Sequence, residues 1–129
     1  MIVLDASAAL ALVMGAEPSI DIRRHILEAD TIHVPHLIDV EITHVIRRFT
    51  LARAVTEPEA ERAFYLWRDM RVERHGHEPL LPRMWSLHHA LTAYDACYVA
   101  LAETLGAALV TRDAKLARSR GHHASIVLV

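Results

Sequence analysis

Polar residues divide this chain into apolar blocks of two lengths. Ile2-Val3-Leu4, Thr31-Ile32-His33-Val34, Ala107 to Thr111 and Ser125 to Val129 are short and rich in β-branched or apolar side chains. Such runs suit strands buried on both faces, as in a parallel sheet. Pro35 cannot donate a ladder hydrogen bond and is expected to end the second run. The longer blocks carry helical spacing. Ala6 to Met14 is rich in helix formers and stops at Gly15, and Pro18 to Ala29 has proline near its first turn. From Leu37 to Arg53, Ile38, Ile42, Val45 and Phe49 recur on one helical face. Thr56-Glu57-Pro58-Glu59 is a capping box that opens a helix reaching about Arg74.

His75 to Pro82 contains Gly76 and two prolines, so it reads as a loop around a short extended piece, Leu80-Leu81. A short helix follows from about Arg83 to His89. Thr92-Ala93-Tyr94-Asp95 caps a long helix that closes at Leu105, with Gly106 as its stop, and Asp113 to Ser119 is another short helix. Helices alternating with short apolar strands predict an α/β fold with a mainly parallel sheet. No linker is long enough to split residues 1–129, which read as one domain.

Composition sharpens this picture only in places. With 53% apolar and 23% charged residues, the chain is globular rather than disordered. A single cysteine, Cys97, excludes an intrachain disulfide and any multi-cysteine zinc site, and its apolar helical setting makes it a core residue. The apolar N-terminal stretch lacks a preceding basic residue and is interrupted by Asp5, so it does not read as a signal peptide. No apolar run approaches the roughly 20 residues needed to cross a bilayer, and a soluble cytoplasmic protein is the expectation. Fourteen basic against sixteen acidic residues give a net charge of −2, which argues at first against a phosphate-backbone partner.

Four of those acids occupy positions that carry chemistry. Asp5 directly follows the first strand, and Asp113 follows Leu109-Val110-Thr111 by two residues. In an open parallel sheet, ligands bind beyond the carboxyl ends of the strands. Asp is also a favoured helix N-cap, so capping stands beside the functional reading. Glu41 falls at the margin of the apolar stripe, where its partial burial requires a partner; Arg48 or His44 would serve as an ion pair. Asp39 points further round, towards solvent. Asp95 lies in the first turn of its helix, where Thr92 and the helix dipole explain an acid equally well. Converging carboxylates repel unless a cation neutralises them, and oxygen-only ligands select a hard ion such as Mg²⁺ or Mn²⁺. Such an ion orients water and neutralises charge on a phosphodiester, as in a metal-dependent nuclease.

Met1-Ile2-Val3-Leu4-Asp5-Ala6-Ser7-Ala8, Val34 to Glu41, Tyr94-Asp95-Ala96 and Val110-Thr111-Arg112-Asp113 together resemble the PIN domain. Within that family the resemblance is to the VapC-type ribonuclease toxins of prokaryotic toxin–antitoxin modules, over essentially the whole chain. It implies a PIN-like fold with a central, mainly parallel sheet of four to five strands flanked by helices. It also implies an acidic pocket for Mg²⁺ or Mn²⁺ and hydrolysis of RNA. Asp5, Glu41, Asp95 and Asp113 match the family's acidic quartet, with Ser7 and Thr111 at the supporting hydroxyl positions. A cognate antitoxin and a homodimer are further implications. Relatives often carry Arg and Asn shortly before the third acid, where this chain has His88-His89-Ala90, which puts substrate contacts from that stretch in doubt.

Of the remaining features, ten histidines raise the question of zinc. His88-His89 and His122-His123 are adjacent pairs, which do not face one another on a helix, and no zinc-site spacing is present. They read as surface histidines or pH-sensitive RNA contacts. Arg112, Lys115, Arg118 and Arg120 flank Asp113, and the first three are candidate phosphate contacts. Setting the four acids aside leaves twelve acids against fourteen bases, so the initial charge argument weakens. A phosphoacceptor signalling domain shares the length and pattern, but Asp5 has no acidic neighbour and Lys115 lies in a helix. A non-catalytic scaffold that binds RNA or protein is the other alternative, against which an intact quartet speaks.

Overall fold

The computed structural model describes residues 1–15 and 20–129. The chain runs β1 (Ile2–Leu4), α1 (Ala6–Met14), α2 (Ile20–Glu28), β2 (Ile32–Pro35), α3 (Leu37–Leu51), α4 (Glu57–Asp69) and β3 (Glu73–His75). A 3₁₀ turn (Glu78–Leu80) then leads to α5 (Leu81–Ser86), α6 (Ala93–Leu105), β4 (Ala108–Thr111), α7 (Ala114–Ala117) and β5 (Ile126–Leu128). Among the described residues the five strands form one sheet in the order β3-β2-β1-β4-β5, with every neighbouring pair parallel.

The central strands are apolar on both faces because helices cover both. Val3, Leu4, Val34, Leu109 and Val110 are fully buried. Helix α6 packs against β1, β2 and β4, and its residues Ala96 to Ala102 are all buried. A helix that is apolar all round belongs inside a core. It begins at Thr92, whose hydroxyl accepts the Asp95 N–H, and ends at Gly106, which takes the left-handed conformation at φ 62°.

Several local expectations are corrected. Pro35 completes β2 rather than stopping it, opposite His75 and beyond Ile32 and His33, the residues of β2 that pair with β1. Helix α4 ends at Asp69, and Glu73-Arg74-His75 forms an edge strand with no apolar signature. Polar edge strands avoid adventitious pairing, which also removes the pattern by which they are read. Leu80-Leu81 is helical rather than extended, with Leu80 buried. The buried face of α3 is Ile38, Ile42 and Ile46, so Val45 and Phe49 are only half-buried at its margin. Pro18, placed in the second helix by the sequence pattern, lies outside the described residues.

Asp39 keeps the solvent access its helix position predicts, with its side chain 43% exposed, but it is not free. Its carboxylate accepts the Trp67 indole N–H at 2.7 Å and a bidentate pair from Arg74 at 2.8 and 3.1 Å. Burial opposes its ionisation, but the Arg74 and Trp67 bonds prevail and hold it below the usual carboxylate range. One side chain thereby ties α3 to α4 and to the edge strand.

A second clamp fixes α6. Arg83 on α5 donates to both Glu103 oxygens at 2.7 and 2.9 Å, and the His123 N–H adds a bond at 2.7 Å. The Arg83 bonds hold the Glu103 carboxyl down at about 2 despite its partial burial. A depressed carboxyl stabilises the fold above its unfolded value of about 4.3 and loses that contribution as pH falls toward the folded value. Glu103→Gln is therefore expected to cost about 1–2 kcal/mol at pH 7, in the range of charged hydrogen bonds. The difference from wild type should shrink between pH 5 and pH 2, as read by urea unfolding at several pH values.

Candidate active site at the carboxyl edge of the sheet

From β1 the chain moves outward to β2 and β3, then returns to β4 on the other side of β1. The reversal in strand order therefore lies between β1 and β4, the place where open parallel sheets leave a crevice at their carboxyl ends. Asp5 follows β1 and Asp113 follows β4, so both border that crevice.

Asp5 is buried at 5% exposure and is the best-connected of the acids. Its Oδ1 accepts the Ser7 hydroxyl at 2.7 Å and the Ala8 N–H at 2.9 Å, which caps α1. Its Oδ2 accepts the hydroxyl of Thr111 at the end of β4. The same two hydroxyls brace the following loop: Ser7 Oγ accepts the Arg112 N–H at 2.8 Å and Thr111 Oγ1 the Asp113 N–H at 2.9 Å. Asp113 caps α7, with Oδ1 accepting the N–H groups of Lys115 and Leu116 at 2.7 and 3.2 Å. Capping and clustering thus coexist in Asp5 and Asp113.

Glu41 on α3 pairs with neither Arg48 nor His44. It accepts the phenol of Tyr98 on α6 at 3.0 Å. Tyr98 is buried, and it escaped the sequence reading because it sits in a run explained by core packing. The signal that could have exposed it is its spacing: Asp95 and Tyr98 are three apart and share one face of a helix.

The four acids act on one another. Burial pushes the Asp5 carboxyl up, its three hydrogen bonds oppose this, and the Asp113 charge adds to the rise. Burial likewise raises Glu41 against the Tyr98 bond, reinforced by Asp5 and Asp95. Asp95 is raised by burial and Asp113, with Thr92 and Lys115 pulling the other way. Four carboxylates from four segments thus share one electrostatic neighbourhood, and three of them sit above their usual range. Hard, all-oxygen donors under mutual repulsion fit a divalent cation of the Mg²⁺ class. They do not close into a tight cage. Among the described residues, the one group of three or more His, Cys, Asp or Glu with ligating atoms all within 4.8 Å is His33, Glu73 and His75.

The basic candidates Arg112, Lys115 and Arg118 are exposed on and around α7, beside Asp113. The histidines are less uniform than expected. His33 is buried at 6% exposure, and His88 and His89 do face one another, with ring centroids 3.9 Å apart. They do so because they lie in the turn after α5 and not within a helix. Cys97 is buried, as its helical setting predicts. No helix among the described residues is long and apolar enough to cross a membrane.

Comparison with known proteins assigns this α/β domain to a family. A family model described as PIN domain matches residues 2–121, and the chain belongs to the PIN-domain family. Its relatives within that family are VapC ribonucleases. It is 42% identical to Ribonuclease VapC9 of Mycobacterium tuberculosis over 116 residues, covering 90% of this chain and 88% of the relative. It is 37% identical to Ribonuclease VapC12 of the same organism over 129 residues, covering 100% of this chain and 99% of the relative. Among solved structures it is similar to PAE2754 from Pyrobaculum aerophilum, with a TM-score of 0.72 and 25% identity over 97% of this chain and 81% of that one.

The Tyr98–Glu41 bond yields a direct test. Tyr98→Phe removes the donor that favours ionised Glu41, so the Glu41 carboxyl should titrate at higher pH, as read by carbon NMR of the side chain. Stability at pH 7 should fall by about 1–3 kcal/mol, the cost of losing a hydrogen bond to a charged group. The loss should be smaller at low pH, where Glu41 is protonated in both the folded and unfolded chains.

Proposed function

We propose that this chain is a metal-dependent endoribonuclease and the toxin of a toxin–antitoxin module. The observation that carries this reading is the electrostatic coupling of Asp5, Glu41, Asp95 and Asp113 around the crevice between β1 and β4. Membership among the VapC ribonucleases supports RNA as substrate. Divalent-metal dependence is general among PIN-domain nucleases. Here Asp5, Glu41, Asp95 and Asp113 would hold Mg²⁺ or Mn²⁺, with solvent completing the coordination. When bound, the ion supplies charge neutralisation at the scissile phosphate and acidifies the attacking water.

The protein's own part is to hold carboxylate oxygens in place. Ser7, Thr111 and the Ala8 N–H fix the plane of the Asp5 carboxylate. Tyr98 holds Oε1 of Glu41 and the start of α7 holds Oδ1 of Asp113. Among the described residues no hydrogen bond engages Oε2 of Glu41 or Oδ2 of Asp113, so each acid keeps one oxygen without a protein donor. Ser7 and Thr111 act as positioning residues. Arg112, Lys115 and Arg118 receive the RNA backbone, where guanidinium groups clamp phosphate oxygens. A cognate antitoxin and a second copy of the chain complete the set of partners in this reading, with action in the cytoplasm.

Cleavage of single-stranded RNA with Mg²⁺ or Mn²⁺ tests the assignment. Asp5→Ala and Asp95→Ala should each lower the rate by about 100-fold or more, the scale of losing preorganised charge stabilisation. Undiminished cleavage in either variant, or in excess chelator, would sink it, and binding without cleavage by the wild type would favour a scaffold. Removing Arg112 and Arg118 together should weaken RNA binding across sequences. It should also reduce the salt dependence of binding by about one unit of slope for each phosphate no longer neutralised.

A further inference from the structure

We propose that His33, Glu73 and His75 form a second cation site, for a transition-metal dication of the Zn²⁺ class, which clips edge strand β3 to β2. It stands apart from the acidic pocket. β3 is the outermost strand on its side of the sheet, whereas the pocket borders β1 and β4.

The register builds the cluster. His33 pairs laterally with Glu73, and His75 lies two residues further along the same edge strand. Residues two apart in a strand share a face, so all three side chains rise on one side of the sheet. Their ligating atoms lie within 4.8 Å of one another. His33 Nδ1 is 2.8 Å from His75 Nε2 and 3.5 Å from Glu73 Oε2.

Two imidazole nitrogens and one carboxylate are a donor set for Zn²⁺, Co²⁺ or Ni²⁺ rather than for Mg²⁺ or Ca²⁺, which prefer oxygen. Tetrahedral coordination with bonds of about 2.0–2.1 Å separates neighbouring ligand atoms by roughly 3.3 Å. The His33–Glu73 distance already fits. The His33–His75 pair must open by about half an ångström, which the half-buried His75 on an edge strand can supply.

The ring of His33 is also aimed. It is buried, and its Nε2 is bonded to the Thr31 hydroxyl at 2.9 Å, which leaves Nδ1 directed at the cluster. Metal-binding histidines are oriented in this way by a hydrogen bond at the second ring nitrogen. Two sites of different donor chemistry would then coexist: oxygen donors at the pocket, and mixed nitrogen and oxygen donors at the sheet edge. Because His33 and His75 are 42 residues apart in sequence, an ion joining them closes a long loop and stabilises the folded chain.

The test uses the untagged, metal-free full chain, titrated with Zn²⁺ by calorimetry and with Co²⁺ by visible absorption. The wild type and Asp95→Asn, which perturbs only the acidic pocket, should each bind one Zn²⁺ with micromolar or tighter Kd at this site. Both should show the intense visible bands of tetrahedral Co²⁺ and gain thermal stability with Zn²⁺. Glu73→Gln and His75→Gln should each weaken binding at least about 10-fold and lose the Co²⁺ bands and the thermal shift. Glu73 is exposed, so its variant carries the test even if His75→Gln is unstable. Equal Zn²⁺ affinity in wild type, Glu73→Gln and His75→Gln would place the ion on surface histidines or in the acidic pocket and overturn the proposal. So would a wild type with no saturable binding below millimolar Zn²⁺.

Discussion

A carboxylate buried at the end of the central strand constrains everything around it. Asp5 has lost most of its water, and an ionised carboxylate in that position is costly without donors. The fold supplies three: the first turn of α1, the Ser7 hydroxyl and the Thr111 hydroxyl from β4. Each donor comes from a segment that must therefore end where it does. α1 starts at Ala6 because Asp5 caps it, and β4 closes on Thr111 within reach of β1. Even so, burial outweighs these bonds, and the carboxyl remains above its usual range.

The other acids enter this neighbourhood on elements that are clamped from behind. α3 carries Glu41 and is tied through Asp39 to Trp67 and Arg74. α6 carries Asp95, is buried along seven consecutive residues and is anchored through Glu103 to Arg83. Rigid backing matters because repulsion among the carboxylates would otherwise be relieved by moving them apart. Stability held in these outer ion pairs and in the core offsets the local repulsion, the usual arrangement where a site is kept under electrostatic strain. Net charge hides this division: the acids gather at one edge of the sheet, and Arg112, Lys115 and Arg118 lie exposed beside it.

What could be read from residues alone was whatever rested on local chemistry. Short β-branched runs placed β1, β2, β4 and β5, and caps at Thr56, Thr92 and Gly106 placed helix ends, because these signals act within a few residues. The four acids stood out on local grounds too: Asp5 and Asp113 follow apolar strands, Glu41 sits at the margin of a helical stripe, and Asp95 lies in a first helical turn. The edge strand Glu73–His75 did not, since a strand exposed to solvent carries no apolar pattern, and its neighbours continued the helical one.

Partners across the fold were beyond reach of any local signal. Tyr98 as the donor to Glu41, Trp67 and Arg74 as the anchors of Asp39, and His33 beside Glu73 and His75 all join residues at least 28 positions apart. Sequence spacing predicts what shares a face of one helix or strand, because that geometry repeats every few residues. It is silent on which faces meet. That was settled by strand order and register: β4 inserting beside β1 made the crevice, and β3 pairing with β2 set a histidine pair and a glutamate side by side.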